Sequence, residues 1–166
     1  MDRSTVDIIL RDYKLNLGRQ GHLSNAVEEL KGMIKKARSR MIDEAALHGQ
    51  VYSDMPHGTD VGQPTERIAI KFADGYVPEF VEQMEKELEA NENELDLVTR
   101  RIVYAEAWVK GLQDKERFVI QNQVIEAFTW KEVIAKYRAT YGYEYSKDTL
   151  KNIKAKAMEK IYKFAE

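Results

Sequence analysis

The residues of this 166-residue chain whose types and spacing could do chemistry lie near its C-terminal end, on a segment that opens with Ser146. There Lys147, Thr149, Lys151, Asn152, Lys154 and Lys156 share the face opposite an apolar stripe of Leu150, Ile153, Ala157, Ile161 and Phe164. Helical spacing of the stripe predicts an α-helix, and Ser146 has the side chain to cap it. A helix carrying cationic and amide side chains along its first turns suits the DNA major groove. Asparagine can bond the adenine edge with two hydrogen bonds, and lysine can reach guanine O6 and N7. Lysines on its flanks would hold phosphates and set orientation without reading bases. The competing explanation of the same residues is a small helical bundle with a solvated lysine face.

Charge segregation removes an objection that the average charge raises against a DNA partner. The formal net charge of -2 argues against a nucleic-acid partner. Yet residues 78–98 carry eight acids against the single Lys86, whereas residues 145–165 carry six lysines against Asp148 and Glu159. The sign difference between segments is the informative quantity.

Other chemistries find little support. The absence of cysteine removes disulfides, thiolate metal sites and a cysteine nucleophile. His22, His48 and His57 lack the spacing of a metal set, so no metal site is expected. No glycine-rich phosphate loop, nucleophile elbow or Ser/His/Asp set is present, so no catalytic residue, cofactor or enzymatic activity is expected. No apolar run approaches the roughly 20 residues of a membrane span, and Met1-Asp2-Arg3-Ser4 lacks a signal-peptide core. A cytoplasmic protein with no membrane partner is expected.

The elements that must position the basic helix follow from periodicity and breakers. Few glycines and prolines predict an all-α fold: a long helical hairpin or coiled-coil arm followed by a C-terminal helix-turn-helix domain. A first helix from Ser4 to about Leu17 is expected to end at Gly18 and Gly21, with a second, basic and amphipathic, over Ser24 to Leu47. Residues 51–63 have the composition of a loop or linker, and Pro64-Thr65-Glu66 that of a helix start running to about Ala73. A longer helix begins at Pro78-Glu79 and extends to Val109 or Lys110. Its seam is Val81, Met84, Leu88, Leu95, Val98, Ile102, Ala105 and Val109, with Asn91 in one polar slot. That seam packs either on the Ser24 to Leu47 helix of the same chain or on a second chain as a dimer. Four divisions result: residues 1–50 N-terminal helices, 51–63 loop, 64–111 short and long helices, and 112–166 the helix-turn-helix domain.

Within residues 112–166 three helices are expected. Asp114 can cap the first, with Phe118, Val119, Val124, Ile125 and Phe128 as its apolar face. Thr129-Trp130-Lys131-Glu132 is a capping box that starts the second sharply. It presents Val133, Ile134, Ala135 and Tyr137 inward and ends near Tyr141-Gly142.

The run from Leu112 to Ile161 resembles the promoter-reading C-terminal domain of bacterial sigma factors. Leu112-Gln113-Asp114-Lys115-Glu116-Arg117-Phe118-Val119-Ile120 is similar to that family's opening helix, and Thr129-Trp130-Lys131-Glu132-Val133-Ile134-Ala135 to its second. The stretch from Tyr145 to Ile161 is similar to its recognition helix. The resemblance implies base contacts from Lys147, Asp148 and Asn152, and backbone contacts from Thr129, Thr149 and Lys151, with Lys131, Ser146, Lys154 and Lys156 beside them. The interval from Ala135 to Ser146 is longer than in that family, so residues 138–144 are expected to lengthen the second helix and the turn. The chain as a whole resembles phage and prophage late-transcription regulators of the RinA and ArpU type, which join such a domain to a helical N-terminal half. That resemblance implies a transcription regulator, an activator of late genes, whose partners are double-stranded DNA, RNA polymerase and a second copy of the chain. A DNA-packaging small terminase-like subunit and a polymerase-binding adaptor are the alternatives.

Overall fold

A computed structural model describes residues 1–48 and 77–166 of the chain, and the loop at 51–63, His57 and the helix start at Pro64 lie outside them. Among the described residues the secondary structure is helical throughout, in six α-helices: α1 (Arg3–Arg11), α2 (Tyr13–His48), α3 (Glu79–Lys110), α4 (Asp114–Ile120), α5 (Trp130–Tyr141) and α6 (Lys147–Phe164). A π-helical turn, Gln121–Ile125, follows α4 directly.

Several helix ends follow from single side chains. Asp2 precedes α1, and its carboxylate accepts hydrogen bonds from Ser4 Oγ at 2.6 Å and from the Thr5 hydroxyl. These bonds hold the Asp2 carboxyl below its usual range. Asp12 then leaves helical geometry with φ -86° and ψ 5°, and α2 starts at the next residue. Gly18 and Gly21, expected as stops, lie inside α2. Glycine weakens a helix by about 1 kcal/mol against alanine but does not block one, as proline does. Here the helix is held on both sides of them, by buried Asn16 before and by Leu23 and Val27 after. The long helix keeps its expected bounds, with Glu79 and Glu82 in its first turn and Lys110 in its last, each opposite in sign to the end of the dipole it faces.

The chain divides into two compact units, Met1–His22 with Leu95–Glu166 and Leu23–Glu94. In the second, the described parts of α2 and α3 run antiparallel, because Lys31 pairs with Glu92 at 2.9 Å and Arg38 with Glu85 at 2.5 Å. Leu23, Val27, Leu30 and Ile34 are buried on α2, and Val81 on α3, with Met84, Leu88 and Asn91 half-buried along the expected seam. A heptad spacing on each helix gives a stripe that one partner helix can cover.

The first unit is a bundle in which the N-terminal helix is part of the core. Val6, Ile9 and Leu10 of α1 pack with Ala105 and Trp108 of α3, with Leu112 and Ile120, and with Ala157, Met158 and Ile161 of α6. The expected division at residue 112 therefore differs from the observed one, which takes residues 1–22 and 95–111 into the same unit as 112–166. The physical reason is that α6 has more apolar surface than α4 and α5 cover, and α1 covers the rest. Polar ties fasten this packing: Tyr13 donates to Glu106 at 2.9 Å, Tyr162 donates to Asp7 at 2.9 Å, and Lys14 pairs with Glu126.

Local details of the last three helices depart from expectation in four places. Gln113, not Asp114, is the cap residue of α4, and its backbone N–H donates to Glu116 Oε2 at 3.2 Å. Ala135 and Phe164, expected inward, are exposed, Phe164 by 52%. The Phe164 ring instead lies over Gly111, so close that a Cβ there would stand 3.0 Å from it. After α4 the backbone widens into the π-turn, where Asn122 Nδ2 donates to the Phe118 carbonyl at 2.8 Å and Glu126 N–H reaches Gln121 O at 2.9 Å. Ala127 follows with φ 55°, the left-handed region.

Candidate nucleic-acid interface

Two capping motifs set where the candidate residues point. At the start of α5, Thr129 Oγ1 accepts from the Glu132 backbone N–H at 3.5 Å, while Glu132 Oε2 accepts from the Thr129 backbone N–H at 2.8 Å and from its hydroxyl at 2.7 Å. Those bonds lower the Glu132 carboxyl below its ordinary range. At the other end Gly142, with φ 77°, occupies the left-handed position that stops a helix, and its N–H donates to Arg138 O at 2.9 Å. At the start of α6, Ser146 Oγ accepts from the Thr149 N–H at 3.2 Å and lies 2.9 Å from the Thr149 hydroxyl. Each cap engages a hydroxyl that the sequence marked for a phosphate: Thr129 both accepts and donates, whereas the Ser146 and Thr149 pair shares one hydroxyl proton and leaves the other unused.

Between these caps lies the second core cluster, Val119, Val133, Tyr137 and Leu150, with Trp130, Ile134 and Ile153 packed against it. Leu150 and Ile161 anchor α6 through its buried side with no exposed surface. The opposite side is therefore fixed: Lys147, Asp148, Lys151, Asn152 and Lys156 are all exposed. Lys151 lies 3.9 Å from Asp148, one turn back, close enough to share charge but exposed enough to exchange partners. Lys131 and Thr129 are exposed at the first turn of α5, and Thr149 is half-buried beside Ser146.

Lys154 stands apart from the other lysines. It is half-buried, and burial, followed by the Arg11 cation of α1, lowers its ammonium below the usual lysine range, while Asp7 acts in the opposite direction. Its surroundings are thus set by α1, about 140 residues earlier in the chain.

A feature absent from the sequence reading is an aromatic group around the turn between α5 and α6. The rings of Tyr137 and Tyr141 are 4.5 Å apart, those of Tyr137 and Tyr145 5.2 Å, and those of Tyr143 and Tyr145 5.2 Å. Phe118 meets Tyr137 edge-on at 5.4 Å. Lys115 of α4 sits 5.5 Å from the Tyr143 and the Tyr145 ring centres and donates to the Tyr145 hydroxyl at 3.4 Å. Lys115 holds the Tyr143 hydroxyl below the ordinary tyrosine range, with the Tyr137 hydroxyl 3.4 Å away as a second cause. Burial pushes Tyr137 in the other direction. The signal was present as tyrosines at 137, 141, 143 and 145, but their convergence depends on the reversal at Gly142.

The geometry gives α6 a firm back, an exposed cationic and amide front over its first two turns, and a preceding turn braced by stacked rings. Among the described residues no three His, Asp or Glu side chains gather as a metal set, and no helix is long and apolar enough to cross a membrane. Searched against family models, curated proteins and solved structures, the chain has no match in any of the three.

Proposed function

We propose that this chain is a sequence-specific DNA-binding regulator of transcription, an activator of phage or prophage late genes that works at promoters with RNA polymerase or as a homodimer. The observation that supports it is the exposed front of α6, where Lys147, Asp148, Lys151 and Asn152 stand together while Leu150 and Ile161 bury the back. In this reading Asn152, Lys147 and Asp148 face base edges, and Lys151, Lys156 and Lys131 face phosphates. The hydroxyls of Thr129, Ser146 and Thr149 serve the helix caps, so their part is to aim helix N-termini, whose free N–H groups suit phosphate oxygens.

The test is a binding-site selection from random duplex followed by competition at about 150 mM salt, the physiological range. A selected site should outcompete random duplex by at least about 10³-fold. Asn152→Ala should relax preference at one base position, at a cost of about 1–3 kcal/mol, whereas Lys151→Ala should weaken all sequences alike. Equal affinity for selected and random duplex would sink the reading.

A further inference from the structure

We infer that α1 is a second DNA-gripping element, in which Arg11 together with Lys154 of α6 forms a phosphodiester site flanking the exposed front of α6. The inference rests on the DNA-binding reading and adds to it a residue far from the C-terminal helices in sequence.

The geometry that carries it is the register of α1 on α6. The Met1 ammonium donates to Ala165 O at 2.8 Å. Arg3 grips Glu159 with two bonds of 2.9 and 3.1 Å and covers the Tyr162 ring at 4.7 Å. Tyr162 in turn donates to Asp7, one turn further along α1. The two helices are therefore antiparallel, and the buried Leu10 packs in the cluster that holds Ala157 and Met158. Continuing the register by one turn brings Arg11, the last residue of α1, alongside the turn of α6 that carries Lys154.

The charges around this pair are unbalanced. Arg3 is matched by Glu159, Lys14 by Glu126 and Lys160 by Glu116. Among the described residues neither Arg11 nor Lys154 makes an ion pair, and the Asp7 carboxylate, which accepts from Tyr162 and acts on Lys154 against Arg11, offsets one of the two positive charges and leaves the other over. Two like charges held together by a packed helix pair raise the free energy of the unliganded protein, and an anion placed between them removes that cost. On one side the pair borders the α6 front with Lys151 and Lys147 exposed. A duplex lying against that front presents phosphates in rows, and a phosphate is the anion that fits a lysine and an arginine fork side by side.

The test is fluorescence anisotropy of the full chain with random-sequence duplex across a salt series, for wild type, Arg11→Ala, Arg11→Lys, Lys151→Ala and, as a control on an exposed lysine elsewhere, Lys36→Ala. Arg11→Ala should weaken binding about three- to tenfold and lower the magnitude of the log–log salt slope by about 0.9, the value for one lost phosphate contact. Arg11→Lys should retain most of the slope, and Lys36→Ala all of it. Circular dichroism and the melting temperature of Arg11→Ala should stay close to wild type, because relief of the repulsion from Lys154 offsets the loss of a cation in the last turn of α1. If Arg11→Ala keeps the wild-type slope while Lys151→Ala lowers it, the inference is overturned and the DNA-binding reading stands. If wild type binds no duplex, both fall.

Discussion

The two compact units of this chain use the same kind of helix in different ways. In Leu23–Glu94 the described helices meet along one stripe, and the charged residues at its rim, Lys31 with Glu92 and Arg38 with Glu85, are paired across it. In Met1–His22 with Leu95–Glu166, six helices, two of them in part, and a π-turn enclose side chains from every direction, so Leu10, Ile120, Leu150 and Ile161 have no exposed surface. Two helices can shield only one face of each other, whereas several can surround a residue. The exposed front of α6 is thus backed by residues drawn from both ends of the chain, whereas the helix pair of the other unit rests on two regular patterns.

The sharpest way to break this contrast is to shorten one side chain in each unit. Leu10→Ala should cost about 2–5 kcal/mol in urea unfolding, because the cavity it leaves is surrounded. Leu88→Ala, in the half-buried seam, should cost clearly less. If Leu10→Ala left stability unchanged, α1 would be a tail and not part of the bundle. Backbone changes come next in size. Gly18→Ala and Gly21→Ala place a Cβ in open space within α2 and should each add about 0.5–1 kcal/mol. Ala127→Gly should add about 1 kcal/mol by relieving a left-handed alanine. A loss of stability at Gly18 or Gly21 would mean that α2 is interrupted there after all.

Tyrosine ionisation gives the smallest effect and the most local one. With Lys115 beside it, Tyr143 should ionise before an ordinary tyrosine, and Lys115→Met should move that early step upward in an ultraviolet absorbance titration. Buried Tyr137 should ionise last. Since folding favours its neutral form, that contribution to stability is present in full below about pH 10 and is lost as pH rises through its higher folded value. Uniform titration of all the tyrosines would show that the rings around Gly142 are not packed together in solution.

Much of the local architecture was legible because it depends on neighbours. The capping box at Thr129, the Ser146 cap and the stop at Gly142 are each a side chain, or the lack of one, acting within four residues. The seam from Val81 to Val109 was legible as a period. Fine placement was less so. Gln113 took the cap expected of Asp114, and Ala135 and Phe164 turned outward, because small shifts in helix start and rotation depend on what a helix packs against. The π-turn at Gln121–Ile125 has no spacing signal, since it arises where Asn122 takes the carbonyl of Phe118.

By itself the sequence determined the helical character of the described residues, the limits of the long helix, the caps of α5 and α6, and the exposure of Lys147, Lys151, Asn152 and Lys156, since all of these follow from propensity and periodicity along a few turns. Only the tertiary structure decided that α1 closes the C-terminal bundle, that four tyrosines gather at the turn before α6, and that Asp7 of α1 meets Tyr162 of α6. The contact of α1 with α6 joins residues 155 positions apart, and what selects it is the apolar area each leaves uncovered until the other arrives.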